Sequence, residues 1–142
     1  MFEFDLEDGV VGCGVGAPFA VLTAEQLFAS GCRFLVSITS ARRIAALDEP
    51  PYVVSFDRAL RDEGTSGNNL PPGFGEFVPA PDGDLLARIK QAVRHALRAE
   101  LGVAVHRGAA LTTDAPYRET EAAIAAAAAH GGLAVEMEAA AL

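Results

Sequence analysis

Glu136 and Glu138 stand one methionine apart in Ala134-Val135-Glu136-Met137-Glu138-Ala139-Ala140-Ala141-Leu142. An ionised carboxylate accepts hydrogen bonds and donates none, so this pair suits a ligand that offers hydroxyl donors, such as the vicinal diol of a ribose. The apolar run before the pair reads as the end of a strand, and the alanine-rich run after it as the start of a helix. In open α/β sheets ligands bind at that junction, beyond the carboxyl ends of the strands. The plainer explanation is that acidic residues in a first helical turn complement the helix dipole. It accounts well for one glutamate and less well for two.

Three other stretches carry groups of a useful kind. Ser37, Thr39, Ser40, Arg42 and Arg43 gather hydroxyls and cations just past the apolar run Phe34-Leu35-Val36. Thr112, Thr113 and Asp114 cluster where another apolar run ends, and Asp114 alone could cap the helix that follows. Gly12-x-Gly14-x-x-Ala17 fits the relaxed dinucleotide fingerprint, after a predicted strand and before a predicted helix. No acid follows the second strand, and the hydroxyls and arginines found there would suit a 2′-phosphate, so such a site would be of NADP type. A tight turn explains the same glycines equally well. His95, His106 and His130 have no liganding partner three or four residues away, so no metal site is expected, and His106 reads as structural.

Strands and helices must alternate to position these groups. Residues 10–14 read as a short buried strand, followed by a tight turn with Pro18 in the first turn of a helix. Gly31 stops that helix, and residues 33–38 read as a second strand, completing a βαβ unit. After Pro50-Pro51, residues 52–56 form a third strand and residues 64–75 a flexible loop. Leu85, Leu86, Ile89, Ala92, Val93, Leu97 and Leu101 recur as one helical stripe. The arginines and lysine opposite it are a solvated face. Residues 103–111 give a strand and residues 121–130 an alanine-rich helix closed by Gly131-Gly132, before the glutamate-bearing strand. The fold class is α/β: a mixed, largely parallel sheet of about five or six strands flanked by helices. Residues 1–142 form a single domain.

Composition narrows the function further. At 51% hydrophobic the chain is globular and not disordered. A net charge of −8 argues against nucleic-acid binding as a main activity. Charged residues interrupt every apolar run, which argues against a membrane span, and the acidic start Met-Phe-Glu-Phe-Asp-Leu-Glu-Asp is no signal peptide. A cytoplasmic location is expected. Cys13 and Cys32 read as buried reduced thiols.

The string Val-Glu-Met-Glu-Ala-Ala-Ala-Leu at 135–142 resembles the ribose-binding segment of the nucleoside phosphorylase family, which includes purine nucleoside and uridine phosphorylases and related nucleosidases. The resemblance implies that Met137 and Glu138 hold a sugar, with Glu136 at the family's first glutamate. It also implies that Thr39, Ser40 and Arg42 lie at a phosphate site, although Ser37 stands where an arginine is usual. The segment ending Glu63-Gly64-Thr65-Ser66 resembles the family's substrate-side loop. Leu-Thr-Thr-Asp-Ala-Pro-Tyr-Arg resembles its base-pocket loop, making Leu111, Thr112, Thr113 and Arg118 base-side candidates.

The resemblance runs from about residue 9 to 142 and covers the middle of a family member. It lacks the family's glycine-rich phosphate loop and the aspartate that protonates the leaving base, so no catalytic acid is assigned. The activity it implies is pentosyl transfer from a nucleoside, with phosphate as possible co-substrate and no other cofactor. A protein that keeps ribose recognition without turnover is an alternative, and an NADP-binding domain another. Assembly as a homo-oligomer is expected, from the family and from apolar edges left uncovered.

Overall fold

The computed structural model describes residues 9–69, 77–79 and 84–142. In chain order the elements are α1 (Ala17–Ala29), β1 (Arg42–Arg43), β2 (Tyr52–Asp62), α2 (Ser66–Asn69), β3 (Phe77–Pro79), α3 (Asp84–Leu101), β4 (Ala104–Thr113), α4 (Glu121–Ala129) and β5 (Gly132–Glu136). A 3-10 turn, Pro116–Arg118, joins β4 to α4. Five strands form one sheet in the order β1-β5-β4-β2-β3. The inner three run parallel, and the short outer strands β1 and β3 pair antiparallel at the two edges. The expected mixed, largely parallel sheet is therefore present.

Register assigns each face its task. Leu60, Leu111 and Val135 lie side by side across β2, β4 and β5. Together with Ile44, Ile124 and Ala127 they form a core under α4. The next row, Arg61, Thr112 and Glu136, points to the opposite face because side chains alternate along a strand. On that face Ala59, Ala110 and Ala140 form a second small core with Phe56 and Ala139. Alanine at these positions lets the turns after β5 lie close against the sheet. A bulge at Asp57 shifts the alternation along β2 by one residue, so that Phe56 shares a face with Ala59, and Arg107 Nε donates to the Asp57 carboxylate at 3.1 Å.

The helices end where their sequences say. α1 stops before Gly31, which has φ 98°, and Gly102 (φ 65°) follows α3. α4 is capped by Thr120, whose hydroxyl accepts from the Ala123 amide at 3.2 Å. Asp114 is not its cap. That carboxylate accepts instead from the Gly64 amide at 2.9 Å, tying the loop after β4 to the loop after β2.

Two expected strands are absent. Residues 10–14 and 33–38 form no ladder, so the amino-terminal βαβ unit does not exist among the described residues. Apolar composition favours extended backbone, but a strand also needs a partner for its amides and carbonyls. Neither segment pairs with a strand among the described residues, and Val10, Val11, Phe34, Val36 and Ile38 are exposed. β2 is longer than expected, running on to Asp62. Residues 137–141 make turns, not the start of a helix. Cys13 is exposed, contrary to expectation, and Cys32 is half-buried. The loop at 64–75 lies partly outside the described residues, as do residues 1–8. No helix among the described residues is long and apolar enough to cross a membrane.

Candidate functional site

β5 delivers both glutamates to the carboxyl end of the parallel strands, and burial makes them unlike each other. Glu136 is the last residue of β5 and 3% exposed. Its Oε2 accepts from the amides of Glu138 at 2.8 Å and Ala139 at 2.7 Å. Its Oε1 accepts from the Thr112 hydroxyl at 2.5 Å, and that hydroxyl in turn accepts from the Ala140 amide at 3.0 Å. Burial pushes the Glu136 carboxyl above the ordinary range; the three hydrogen bonds offset part of this, and the neighbouring Glu138 charge adds to it.

Glu138 is 4% exposed and differently placed. Its Oε1 accepts from the amide of Gly16 at 2.7 Å. Gly16 precedes α1, has φ 89° and offers no side-chain cap, so a carboxylate from far along the chain satisfies the first donor of that helix. Its Oε2 is buried and has no hydrogen-bond partner among the described residues. A buried carboxylate oxygen without a donor is costly, so the position suits a ligand that brings one. Met137, between the two glutamates, is half-buried.

A second buried polar group lies at the end of β2, within the segment that resembles the family's substrate-side loop. Arg61, Glu63 and Ser66 are 5%, 3% and 1% exposed. Arg61 Nε donates to the Ser66 hydroxyl at 2.8 Å, and that hydroxyl meets Glu63. Glu63 also accepts from the Thr65 amide at 2.6 Å and the Ser66 amide at 3.0 Å. This network shapes the loop after β2. The available signal was Arg61 itself, two residues past Ala59 on the same face.

The other expected site residues divide. Thr112 is wholly buried and committed to Glu136, and Leu111 lies in the core beneath α4, so neither can face a base. Thr113 is buried, its hydroxyl accepting from the Ala115 amide at 3.2 Å. Arg118 is exposed on the 3-10 turn. Thr39 and Ser40 are exposed, and the Thr39 hydroxyl reaches only the Ser40 carbonyl, at 3.4 Å. Arg42 pairs with Glu119 at 2.5 Å. Its register partner is Val135, which places it on the α4 side of the sheet, away from the face of Glu136. Of the three phosphate candidates, Arg42 is thus paired with Glu119, while Thr39 and Ser40 lie exposed.

The dinucleotide fingerprint fails on geometry. Neither flanking strand forms, and the Glu138 carboxylate occupies the start of α1, where a pyrophosphate would be needed. His106 lies at the opposite end of β4, edge-on to Tyr52 with ring centroids 5.4 Å apart. Its Nε2 is 3.1 Å from the Asp48 carboxylate, close but not aligned for a hydrogen bond. Among the described residues no three His, Cys, Asp or Glu side chains gather as a metal-binding group.

Solved structures resemble this fold. A methylthioadenosine/S-adenosylhomocysteine nucleosidase from Neisseria meningitidis, in complex with methylthio-immucillin-A, matches over 90% of this chain at 25% identity with a TM-score of 0.66. A protein described as a methylthioadenosine nucleosidase from Weissella paramesenteroides matches over 90% at 15% identity and a TM-score of 0.69. A futalosine hydrolase mutant from Helicobacter pylori matches over 89% at 17% identity and a TM-score of 0.64. The chain spans 56%, 55% and 58% of those three proteins, respectively. No curated protein matches it. The family profile described as the Phosphorylase superfamily matches residues 9–142, nearly the whole chain, and the chain belongs to that family.

Proposed function

We propose that this chain binds a nucleoside through its sugar and carries the sugar-holding part of an enzyme that cleaves an N-glycosidic bond. The observation that carries the reading is Glu138: a buried carboxylate, fixed by one oxygen to the start of α1, with its second oxygen lacking a donor. A ribose hydroxyl supplies that donor. Such cleavage passes through an oxocarbenium-like sugar, and holding the ring rigidly while a nucleophile approaches lowers the barrier. Glu138 and Met137 would do the holding, and Arg118 on its exposed turn is the remaining base-side candidate. Since Arg42 is committed to Glu119, water is favoured over phosphate as the nucleophile.

Titration calorimetry with inosine, uridine and methylthioadenosine tests the reading, followed by base-release assays with and without phosphate. A nucleoside should bind, and Glu138→Ala should weaken it by about tenfold or more, the loss of a hydrogen bond to a charged group. Base release that requires phosphate would overturn the preference for water. Absence of nucleoside binding, or binding indifferent to Glu138→Ala, would end the proposal.

A further inference from the structure

We infer that Glu136, together with Thr112, is a positioning residue that sets the Glu138 carboxylate and does not itself meet the ligand. Three consecutive amides, those of Glu138, Ala139 and Ala140, are held by these two side chains, which neighbour one another across β4 and β5. Successive amides that converge in this way form a nest for an anion. Here the Glu136 carboxylate takes the first two amides and the Thr112 hydroxyl the third. The two Glu136 oxygens accept three bonds, and the residue is 3% exposed, so an incoming hydroxyl finds little room and little unused acceptor.

The clasp fixes the backbone of residue 138. With that backbone set, the Glu138 side chain spans to Gly16 and holds its free oxygen in place. Thr112 makes the clasp rigid by donating to Glu136 while accepting from Ala140. The role in sugar recognition rests on the proposed nucleoside reading. The mechanical role does not, because the Gly16 amide reports it without ligand.

The test is amide hydrogen exchange by NMR on the whole chain and its Glu136→Ala, Glu136→Gln and Thr112→Val variants, with calorimetric nucleoside binding alongside. Glutamine keeps an oxygen for the two amides and can turn its NH2 toward the Thr112 hydroxyl. Exchange at Gly16 should therefore speed up about tenfold or more in Glu136→Ala, stay within about threefold in Glu136→Gln, and fall between these in Thr112→Val. Unchanged exchange at Gly16 in Glu136→Ala, or equal acceleration in Glu136→Gln, overturns the inference. Should Glu136→Ala fail to fold, Thr112→Val against Glu136→Gln gives the same contrast. If nucleoside binds, its dissociation constant should follow the same order. If none binds, the sugar reading fails while the Gly16 result still decides the clasp.

Discussion

Two carboxylates of one type, two residues apart, do different work because their hydrogen-bond partners differ. Glu136 stabilises the chain's own turn, and its burial has a consequence for acid stability. Its folded-state carboxyl titrates above the unfolded value, with desolvation as the first cause. Over the interval between the two values the folded protein holds more protons than the unfolded chain. The contribution of Glu136 to stability is therefore complete below the ordinary carboxylate value and is lost as pH rises through its raised value. Urea unfolding followed across that interval should show wild type losing stability relative to Glu136→Gln, which has no proton to lose. An equal pH slope in the two proteins would contradict this. The place of Glu138 just past a strand end was legible in the sequence, because the apolar run and its small neighbours are local. The clasp was not. Its partner Thr112 lies on another strand, and register places its hydroxyl, a base-side candidate by resemblance, beside Glu136.

Elements whose stability is local were legible. α3 showed its stripe at helical spacing, and α1 and α4 ended beside glycines with positive φ. The strands expected at 10–14 and 33–38 do not form, because a strand is a relation to a neighbour, which composition cannot supply. The packing of α4 on β5 was hidden for a similar reason and gives a contrast to measure. A Cβ on Gly132 would stand 2.8 Å from the Ala127 carbonyl oxygen, which is helix backbone. Gly132→Ala must push α4 away from β5, at a cost of about 1–3 kcal/mol. A Cβ on Gly108 meets the Leu133 side chain at comparable distances, but that side chain is half-buried and can turn aside. Thermal unfolding should therefore show Gly132→Ala melting below Gly108→Ala, and the reverse order would refute the packing argument. Thr120→Ala should cost about 1 kcal/mol, because it removes the α4 cap and nothing else.

At the scale of the molecule, apolar surface and net charge oppose one another. Phe34, Val36 and Ile38 are 48%, 51% and 90% exposed along a stretch that has no ladder partner among the described residues. Val10, Val11 and Val15 add to the apolar surface of the amino-terminal part. Unpaired backbone beside apolar side chains is a template for association, and a second copy of the chain offers the same template in return. Every copy, however, carries a net charge of −8. Repulsion between copies is screened over about 8–10 Å at moderate ionic strength, whereas apolar contact is little affected by such salt. We therefore expect self-association that tightens as salt rises, the opposite of an assembly held by ion pairs. Sedimentation velocity over a series of concentrations and ionic strengths measures this directly. Ile38→Asp removes the most exposed apolar side chain and adds like charge at the same place. Burial of one such side chain contributes about 1.5–3 kcal/mol, so the dissociation constant should rise by about tenfold or more. The amides of residues 16 and 138–140 should keep their protection in that variant, since the segment lies outside the clasp. A chain that stays monomeric at every salt concentration, or a dimer indifferent to Ile38→Asp, would show that this surface is not where copies meet.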